Sequence, residues 1–178
     1  FQPLLYQVAT AVLSPVDIAA PIRRILSRQK NAQVILSKVT GIDLVSNKVS
    51  LESGEVRFDW LVIAAGATHS YFGNTQWESV APGLKSIEDA TVLRRKILLA
   101  FERAEYEPDE KARKADLTFA IVGGGPTGVE LAGAIKEIAA KTIVKEFRNI
   151  DTRTARVILV EGLDRILPQM REESSDSA

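Results

Sequence analysis

Three glycines in one short turn have the spacing best suited to a chemical role. Gly123, Gly125 and Gly128 match the pattern G-x-G-x-x-G between a predicted strand at residues 117–122 and a predicted helix at residues 129–146. In such a unit the first glycine permits a tight turn and the second lets a diphosphate approach the backbone. The third lets the helix pack closely on the strand. The pattern therefore predicts a dinucleotide-binding turn.

The residues around this turn extend the predicted site. Pro126 and Thr127 begin the helix, whose unpaired N–H groups and dipole favour an anion. A second apolar run, residues 156–160, ends at Glu161, which can accept both hydroxyl hydrogens of an adenosine ribose and repels a 2′-phosphate. Glu161 lies later than the usual ~20 residues after the glycines, which a long helix and an insert would explain. The prediction is NADH rather than NADPH.

Other interpretations of these residues remain open. The turn could be a chance Gly-rich loop beside an edge-strand glutamate, or a site for another nucleotide or S-adenosyl methionine. Glu130 could simply be stabilised by the helix dipole in the first turn, or it could contact the nicotinamide end or handle protons there. His69 follows a predicted buried strand, where site residues are common, although a lone histidine in a polar loop is usually solvated.

Composition excludes several functional classes. Equal numbers of basic and acidic residues, 23 each, argue against a nucleic-acid partner. The absence of cysteine removes disulfides, thiolate metal sites and thiol redox chemistry from these 178 residues, and a single histidine leaves no predicted metal site. No apolar run approaches the ~20 residues of a membrane span. The length suits one domain or pieces of two.

Hydrophobic periodicity predicts the remaining elements. Gly66 ends a short apolar run that is typical of a strand buried on both faces. Ser86 and Asp89 resemble a capping box at the start of a helix. The other predictions are a helix at residues 14–27, a small antiparallel meander at 33–60, the buried strand at 61–65 and a surface loop at 105–116.

Several stretches together resemble the type II NADH dehydrogenases, a branch of the FAD-dependent pyridine nucleotide-disulfide oxidoreductase superfamily. GGGPTGVE is characteristic of the superfamily, whereas the opening Pro-Leu-Leu-Tyr-Gln is more specific to this branch. The resemblance covers essentially the whole chain. The stretches that carry it are residues 1–9 (FQPLLYQVA), 61–67 (LVIAAGA), 123–134 (GGGPTGVELAGA), 160–161 and 165–168 (RILP).

The resemblance implies an α/β fold of the Rossmann-like, three-layer FAD/NAD(P)-binding kind with a small antiparallel meander. It also implies an internal piece that is incomplete at both ends. Residues 1–85 are expected to be a middle portion of the FAD-binding domain. Residues 86–178 are expected to be the N-terminal portion of an inserted NADH-binding domain.

The resemblance also assigns cofactor contacts beyond the Gly-rich turn. Tyr6, Gln7 and the turn Ala65-Gly66-Ala67 would line the flavin, and Val39 lies where the family backbone meets the FAD adenine. Glu130 corresponds to a glutamate close to the nicotinamide and flavin rings, and is the candidate catalytic residue. The usual Ala-Thr-Gly at the strand end is Ala-Ala-Gly here, which removes a hydroxyl.

The implied activity is hydride transfer from NADH to FAD, followed by delivery of two electrons to a quinone. One alternative is a related flavoenzyme whose acceptor is oxygen, ferredoxin or a disulfide. Another is a module that binds NADH without turnover. Without the N-terminal FAD diphosphate loop, the later Gly-Asp flavin motif and the quinone pocket, these 178 residues alone are expected to be inactive.

The expected partners are NADH and, by resemblance, a quinone. Membrane contact is expected only through family segments absent from this sequence. The expected location is cytoplasmic, or peripheral on the cytoplasmic face of the membrane. Exposed strand edges predict self-association, since unpaired edges recruit other chains, so a homo-oligomer is also expected.

Overall fold

The computed structural model describes residues 1–177, which form two compact units. The larger unit comprises residues 1–19 and the chain from His69 onward, and the smaller unit is Ala20–Thr68. The boundary predicted near residue 85 concerns cofactor-binding domains rather than compact units, and it stays a prediction.

The chain contains both helices and strands, and one helix connects two parallel strands, so the predicted mixed α/β class is confirmed. The helices are α1 (Leu5–Ala9), α2 (Pro15–Ile18), α3 (Ile22–Ile25), α4 (Ile87–Tyr106), α5 (Glu110–Asp116), α6 (Pro126–Glu137) and α7 (Glu172–Asp176). The strands are β1 (Val39–Asp43), β2 (Lys48–Leu51), β3 (Gly54–Arg57), β4 (Thr118–Val122) and β5 (Arg156–Val160). Short 3-10 turns lie at Gln2–Leu4, Thr75–Trp77 and Thr152–Thr154, and a π turn, Ile138–Thr142, extends α6.

The larger unit contains the strand–helix–strand segment that the Gly-rich turn predicts. β4 and β5 pair in parallel, from Thr118 opposite Arg156 to Val122 opposite Val160, and α6 connects them. Parallel neighbours require such a crossover, and their carboxyl ends then lie at the same edge of the sheet. The three-layer arrangement of a complete Rossmann-like fold stays a prediction, as do the incomplete ends and the homo-oligomer.

The predicted capping box starts the long helix α4, because the Ser86 hydroxyl accepts a bond from the Asp89 N–H at 3.1 Å and the Asp89 carboxylate accepts from the Ser86 N–H at 2.9 Å.

A hydrophobic core packs the strand–helix–strand segment against α4. Fully buried Phe101 packs against Phe119 of β4 with ring centroids 5.3 Å apart. Other buried members of the core are Leu5, Val8, Ala9, Ile18, Ala90, Ile97, Ala104, Leu117, Leu131, Ile135, Ile138, Ala139, Ile143, Ile150 and Ala155.

The smaller unit contains the predicted antiparallel meander. Its strand order is β1-β2-β3, with both neighbouring pairs antiparallel. Asn47 takes a positive φ of 53° between β1 and β2, and Gly54 a φ of 138° where β3 begins. These are residue types that adopt left-handed backbone readily, so the turn residues fix the strand register.

The single helix predicted at residues 14–27 is wrong. The chain instead forms two separate turns, α2 and α3, on either side of Ala19, Ala20 and Pro21. Proline disfavours helical backbone at the residue before it and donates no N–H. Pro21 therefore separates the two helical segments and occupies the N-cap position of the second.

The buried strand predicted at residues 61–65 is also absent as a strand. Val62 and Ile63 are 86% and 70% exposed, and within residues 1–177 no strand pairs with this run. A strand buried on both faces requires paired neighbours and covering helices. Its apolar sequence alone does not supply them.

The surface loop predicted at residues 105–116 contains the helix α5. Asp109 caps it by accepting a bond from the Ala112 N–H at 2.7 Å, and Lys114 pairs with Glu110 one turn away at 2.7 Å. Side-chain capping and an i,i+4 ion pair favour a short helix even in a polar sequence.

No helix in the described part of the chain is long and apolar enough to cross a membrane.

Candidate functional site

The Gly-rich turn joins β4 to α6 at the carboxyl edge of the parallel sheet. Gly123 has a φ of +107°, a backbone conformation that side chains rarely adopt. Its N–H donates to the Val160 carbonyl at 2.8 Å, which ties the turn to the end of the neighbouring strand. The turn is therefore fixed where the two strands end.

Gly128 lies in the first turn of α6, directly against the turn backbone. A Cβ at this position would lie 1.9 Å from the Gly123 carbonyl oxygen and 3.5 Å from the Leu159 side chain. No side chain can be accommodated at such a distance from backbone. The third glycine of the pattern is therefore required for the close approach of helix and turn, as the motif predicts.

Gly125 and the residues after it form an open helix N-terminus. A Cβ at Gly125 would have no neighbour within 4 Å. Gly125 is the N-cap of α6 and has no side-chain capping bond, Pro126 occupies the first helical position, and Thr127 is exposed. The open space and the uncapped N–H groups fit the diphosphate of a dinucleotide.

Glu161 follows β5 and turns its carboxylate onto the Gly-rich turn. Oε2 accepts a hydrogen bond from the Gly124 N–H at 2.5 Å. Oε1 accepts from the N–H groups of Gly162 and Leu163 at 2.7 and 3.0 Å. A carboxylate accepts about four hydrogen bonds, so these three leave capacity for a ribose hydroxyl. Turn and carboxylate form one connected site.

These hydrogen bonds make the stability of the site dependent on pH. The Gly124 N–H, followed by those of Leu163 and Gly162, holds the pKa of the Glu161 carboxyl below its ordinary value of 4.5. A depressed pKa stabilises the fold above the ordinary value, and this contribution is lost as the pH falls through the folded-state pKa.

The Glu161→Gln variant should therefore lack this part of the acid sensitivity. The difference in unfolding free energy between parent and variant is expected to be constant at neutral pH and to shrink as the pH falls below 4.5. Urea unfolding monitored by circular dichroism at a series of pH values measures the difference. A difference that grows toward acid pH would contradict the assigned hydrogen bonds.

Sequence reasoning missed the role of Gly124. Its N–H binds Glu161, and a Cβ there would lie 2.9 Å from Ile166 Cγ2 and 3.0 Å from Glu161 Oε2. Its carbonyl accepts from the Leu167 N–H at 2.7 Å. The sequence did contain a signal for this role, because Gly124 is a third glycine between the two that the motif requires, Gly123 and Gly125.

Glu130 lies just beyond the first turn of α6 rather than within it. The helix begins at Pro126, earlier than the predicted start at Val129, because the fixed φ of proline suits the first helical position. The Glu130 side chain is exposed. Its predicted catalytic contact stays a prediction.

The predicted flavin contacts lie in both compact units. In the larger unit, Tyr6 and Gln7 are half-buried neighbours on α1, and the Gln7 amide donates to the Tyr6 hydroxyl at 3.0 Å. In the smaller unit, Val39 opens β1 and is half exposed, and Gly66 has a φ of +74° between exposed Ala65 and Ala67. Their contacts with a flavin stay predictions.

His69 is more enclosed than a solvated loop residue. Its side chain is 25% exposed and packs edge-on against Tyr71 with ring centroids 5.3 Å apart. Nε2 lies 3.8 Å from a Glu78 carboxylate oxygen, and Nδ1 is buried without a hydrogen-bond partner within residues 1–177. Gly83 leaves the space that the ring occupies.

The parallel strand–turn–helix–strand unit, the open helix N-terminus and the acidic residue after β5 are the arrangement typical of dinucleotide-binding α/β proteins. More particularly, the chain belongs to the pyridine nucleotide-disulphide oxidoreductase family, whose model matches residues 1–178.

Two similar proteins of known name are type II NADH:quinone oxidoreductases. The chain is 50% identical over 174 residues to the type II NADH:quinone oxidoreductase Ndh of Mycobacterium tuberculosis, covering 96% of this chain and 38% of that protein. It is 49% identical to NdhA of the same organism, covering 96% and 37%. The resemblance to type II NADH dehydrogenases is thereby confirmed, and the chain spans less than two fifths of these relatives.

Solved structures share the fold. The chain superposes on NDH2 from Plasmodium falciparum in complex with NADH with a TM-score of 0.82 and 26% identity, covering 99% of this chain and 37% of that one. The complex of the same protein with RYL-552 gives a TM-score of 0.84 at the same identity and coverage.

Proposed function

We propose that the protein is a type II NADH:quinone oxidoreductase, which oxidises NADH and reduces a quinone by way of FAD. The observation that carries the proposal is the Gly-rich turn, which combines an open helix N-terminus with the Glu161 carboxylate 2.5 Å from the Gly124 N–H. The relatives at 50% and 49% identity are named for this activity.

In this proposal the turn binds NADH through its diphosphate and adenosine ribose. The diphosphate lies against Gly125 and receives hydrogen bonds from the N-terminal amides of α6, next to Pro126 and Thr127. A ribose hydroxyl donates to Glu161. A 2′-phosphate would face the same carboxylate and be repelled, which selects NADH over NADPH.

Glu130 is proposed to act at the nicotinamide end of the site. Its exposed carboxylate stands one helical turn beyond the amides that hold the diphosphate. From there it can orient the nicotinamide amide or accept a proton beside the redox centre. It is the only residue of this chain proposed as catalytic.

Bound FAD would supply the redox chemistry, accepting a hydride from NADH and passing two electrons to the quinone. This chain's proposed contributions are Tyr6 and Gln7 beside the flavin ring and Val39 at the adenine. The left-handed turn at Gly66, flanked by small alanines, suits close approach of the backbone to a planar cofactor. These contacts, like the quinone and a membrane-surface location, rest on the resemblance.

A visible absorption spectrum of the purified full-length protein, recorded without oxygen before and after NADH, tests the proposal. We expect flavin bands that bleach with NADH and recover when a soluble quinone is added. Bleaching without recovery by quinone, but with recovery by oxygen or ferredoxin, would assign a different acceptor. A protein that binds NADH but has no flavin bands would be a binding module, and the proposal would be wrong.

A further inference from the structure

The segment after β5, residues 165–170, folds back on the Gly-rich turn. Leu167 donates its N–H to the Gly124 carbonyl at 2.7 Å and has a φ of +49°. A non-glycine residue in this left-handed region costs free energy and persists only where the surrounding structure compensates. The strain at Leu167 is therefore compensated by the contact with the turn.

Further bonds hold the same segment in place. The Arg165 guanidinium donates from Nη2 to the carbonyls of Pro168 and Met170, at 3.3 Å each. The Ser175 hydroxyl donates to the Ile166 carbonyl. Both groups come from outside the turn, so the segment is fixed independently of any nucleotide.

Gly124 is enclosed between this segment and Glu161. A Cβ on Gly124 would lie 2.9 Å from Ile166 Cγ2 on one side and 3.0 Å from Glu161 Oε2 on the other. Its N–H binds Glu161 and its carbonyl binds Leu167. Ile166 and Leu167 therefore contact the same residue whose N–H binds the Glu161 carboxylate.

We propose that Ile166 and Leu167 are positioning residues for nucleotide specificity, which hold Gly124 where its N–H directs Glu161 toward the adenosine ribose. The inference rests on the proposed binding of NADH by Glu161. Neither residue is proposed to touch the reacting atoms. Loosening them weakens the bond from the Gly124 N–H to Oε2 and leaves only the Gly162 and Leu163 N–H groups on the carboxylate. The less restrained carboxylate would bind the ribose of NADH more weakly and repel a 2′-phosphate less.

Ile166→Ala in the full-length protein tests the first residue. It removes the Cγ2 methyl that faces Gly124, whereas Ile166→Val keeps that methyl and removes only Cδ1. For the alanine variant we expect the NADH/NADPH ratio of kcat/KM to fall about tenfold, the size of a coupling between neighbouring groups. The change should appear in KM, and the valine variant should keep the parental ratio.

Leu167 is tested by a second pair of substitutions. Leu167→Gly keeps the N–H donor and adopts positive φ without strain, so the parental ratio is expected. Leu167→Pro removes the donor and forces φ to about −65°, so the ratio should fall as in Ile166→Ala. Dissociation constants from NADH and NADPH fluorescence titrations provide a readout that does not depend on turnover.

The Glu161→Gln variant separates this inference from the proposed function. If Glu161→Gln leaves nucleotide preference unchanged, the proposed role of Glu161 fails. If Glu161→Gln changes the nucleotide preference but Ile166→Ala does not, only the positioning role is overturned. The same conclusion follows if Ile166→Ala weakens the binding of NADH and NADPH equally. Support requires that Ile166→Ala adds nothing to the preference change in the Glu161→Gln background.

Discussion

Replacement of Gly128 by alanine is expected to lower the free energy of unfolding by about 3 kcal/mol, at the upper end of overpacking effects. The new Cβ would lie 1.9 Å from the Gly123 carbonyl oxygen, so helix and turn must part by at least about 1 Å. Because displacements of this size at a binding site cost about a hundredfold, kcat/KM for NADH should fall by that factor. Urea unfolding and steady-state kinetics measure the two effects.

Gly133→Ala is the matched control in the same helix. Gly133 is exposed within α6, and a Cβ there would have no neighbour within 4 Å. Alanine at a helical position of this kind stabilises by about 0.5–1 kcal/mol, because it restricts the unfolded chain. Equal losses in the two variants would show that α6 requires glycine at both positions, and the close approach at Gly128 would not be the specific cause.

The strand–turn–helix–strand segment around the Gly-rich turn could be predicted from the sequence because its signals are local. The apolar runs of β4 and β5, the glycine spacing and the capping box at Ser86 each act over a few residues. The close approach of α6 to the turn at Gly128 is predicted by the same motif. For these elements, whose conformation neighbouring residues decide, the prediction and the structure agree.

The failures have two physical origins, one in distant neighbours and one in single local residues. The apolar run at residues 61–65 predicted a buried strand, but a strand requires hydrogen-bonded neighbours, which a local pattern does not provide. The prediction of one helix at residues 14–27 failed because Pro21 interrupts it. The prediction of a loop at residues 105–116 failed because Asp109 caps a short helix there. In each of these two cases one residue outweighed the general character of the sequence around it.

The connection between Gly124 and Glu161 could not be predicted from spacing. The two residues are separated by 37 positions, and the contact depends on the register of β4 with β5. Leu167 adds a left-handed backbone at a residue type for which no sequence rule predicts it. The proposed nucleotide specificity therefore depends on tertiary packing around a motif that is itself local.

Glu161→Arg is expected to shift the NADH/NADPH ratio of kcat/KM about a hundredfold toward NADPH. The variant loses the acceptor for the ribose hydroxyls, and hydrogen bonds to a charged group contribute about 1.5–3 kcal/mol each. It also replaces repulsion of a 2′-phosphate with a bidentate donor. Because arginine cannot accept from the Gly124, Gly162 and Leu163 N–H groups, the variant should also be less stable.

The ratio, rather than the absolute activity, is therefore the informative measurement, since a loss of stability lowers both rates together. Glu146→Arg makes the same charge change at an exposed glutamate beyond the far end of α6, and should leave the ratio at its parental value. A parental ratio in Glu161→Arg as well would mean that the adenosine ribose binds elsewhere. A shift in both variants would instead indicate a long-range effect of charge, which should weaken as salt is added. Only a shift confined to Glu161→Arg assigns nucleotide choice to the carboxylate beside the Gly-rich turn.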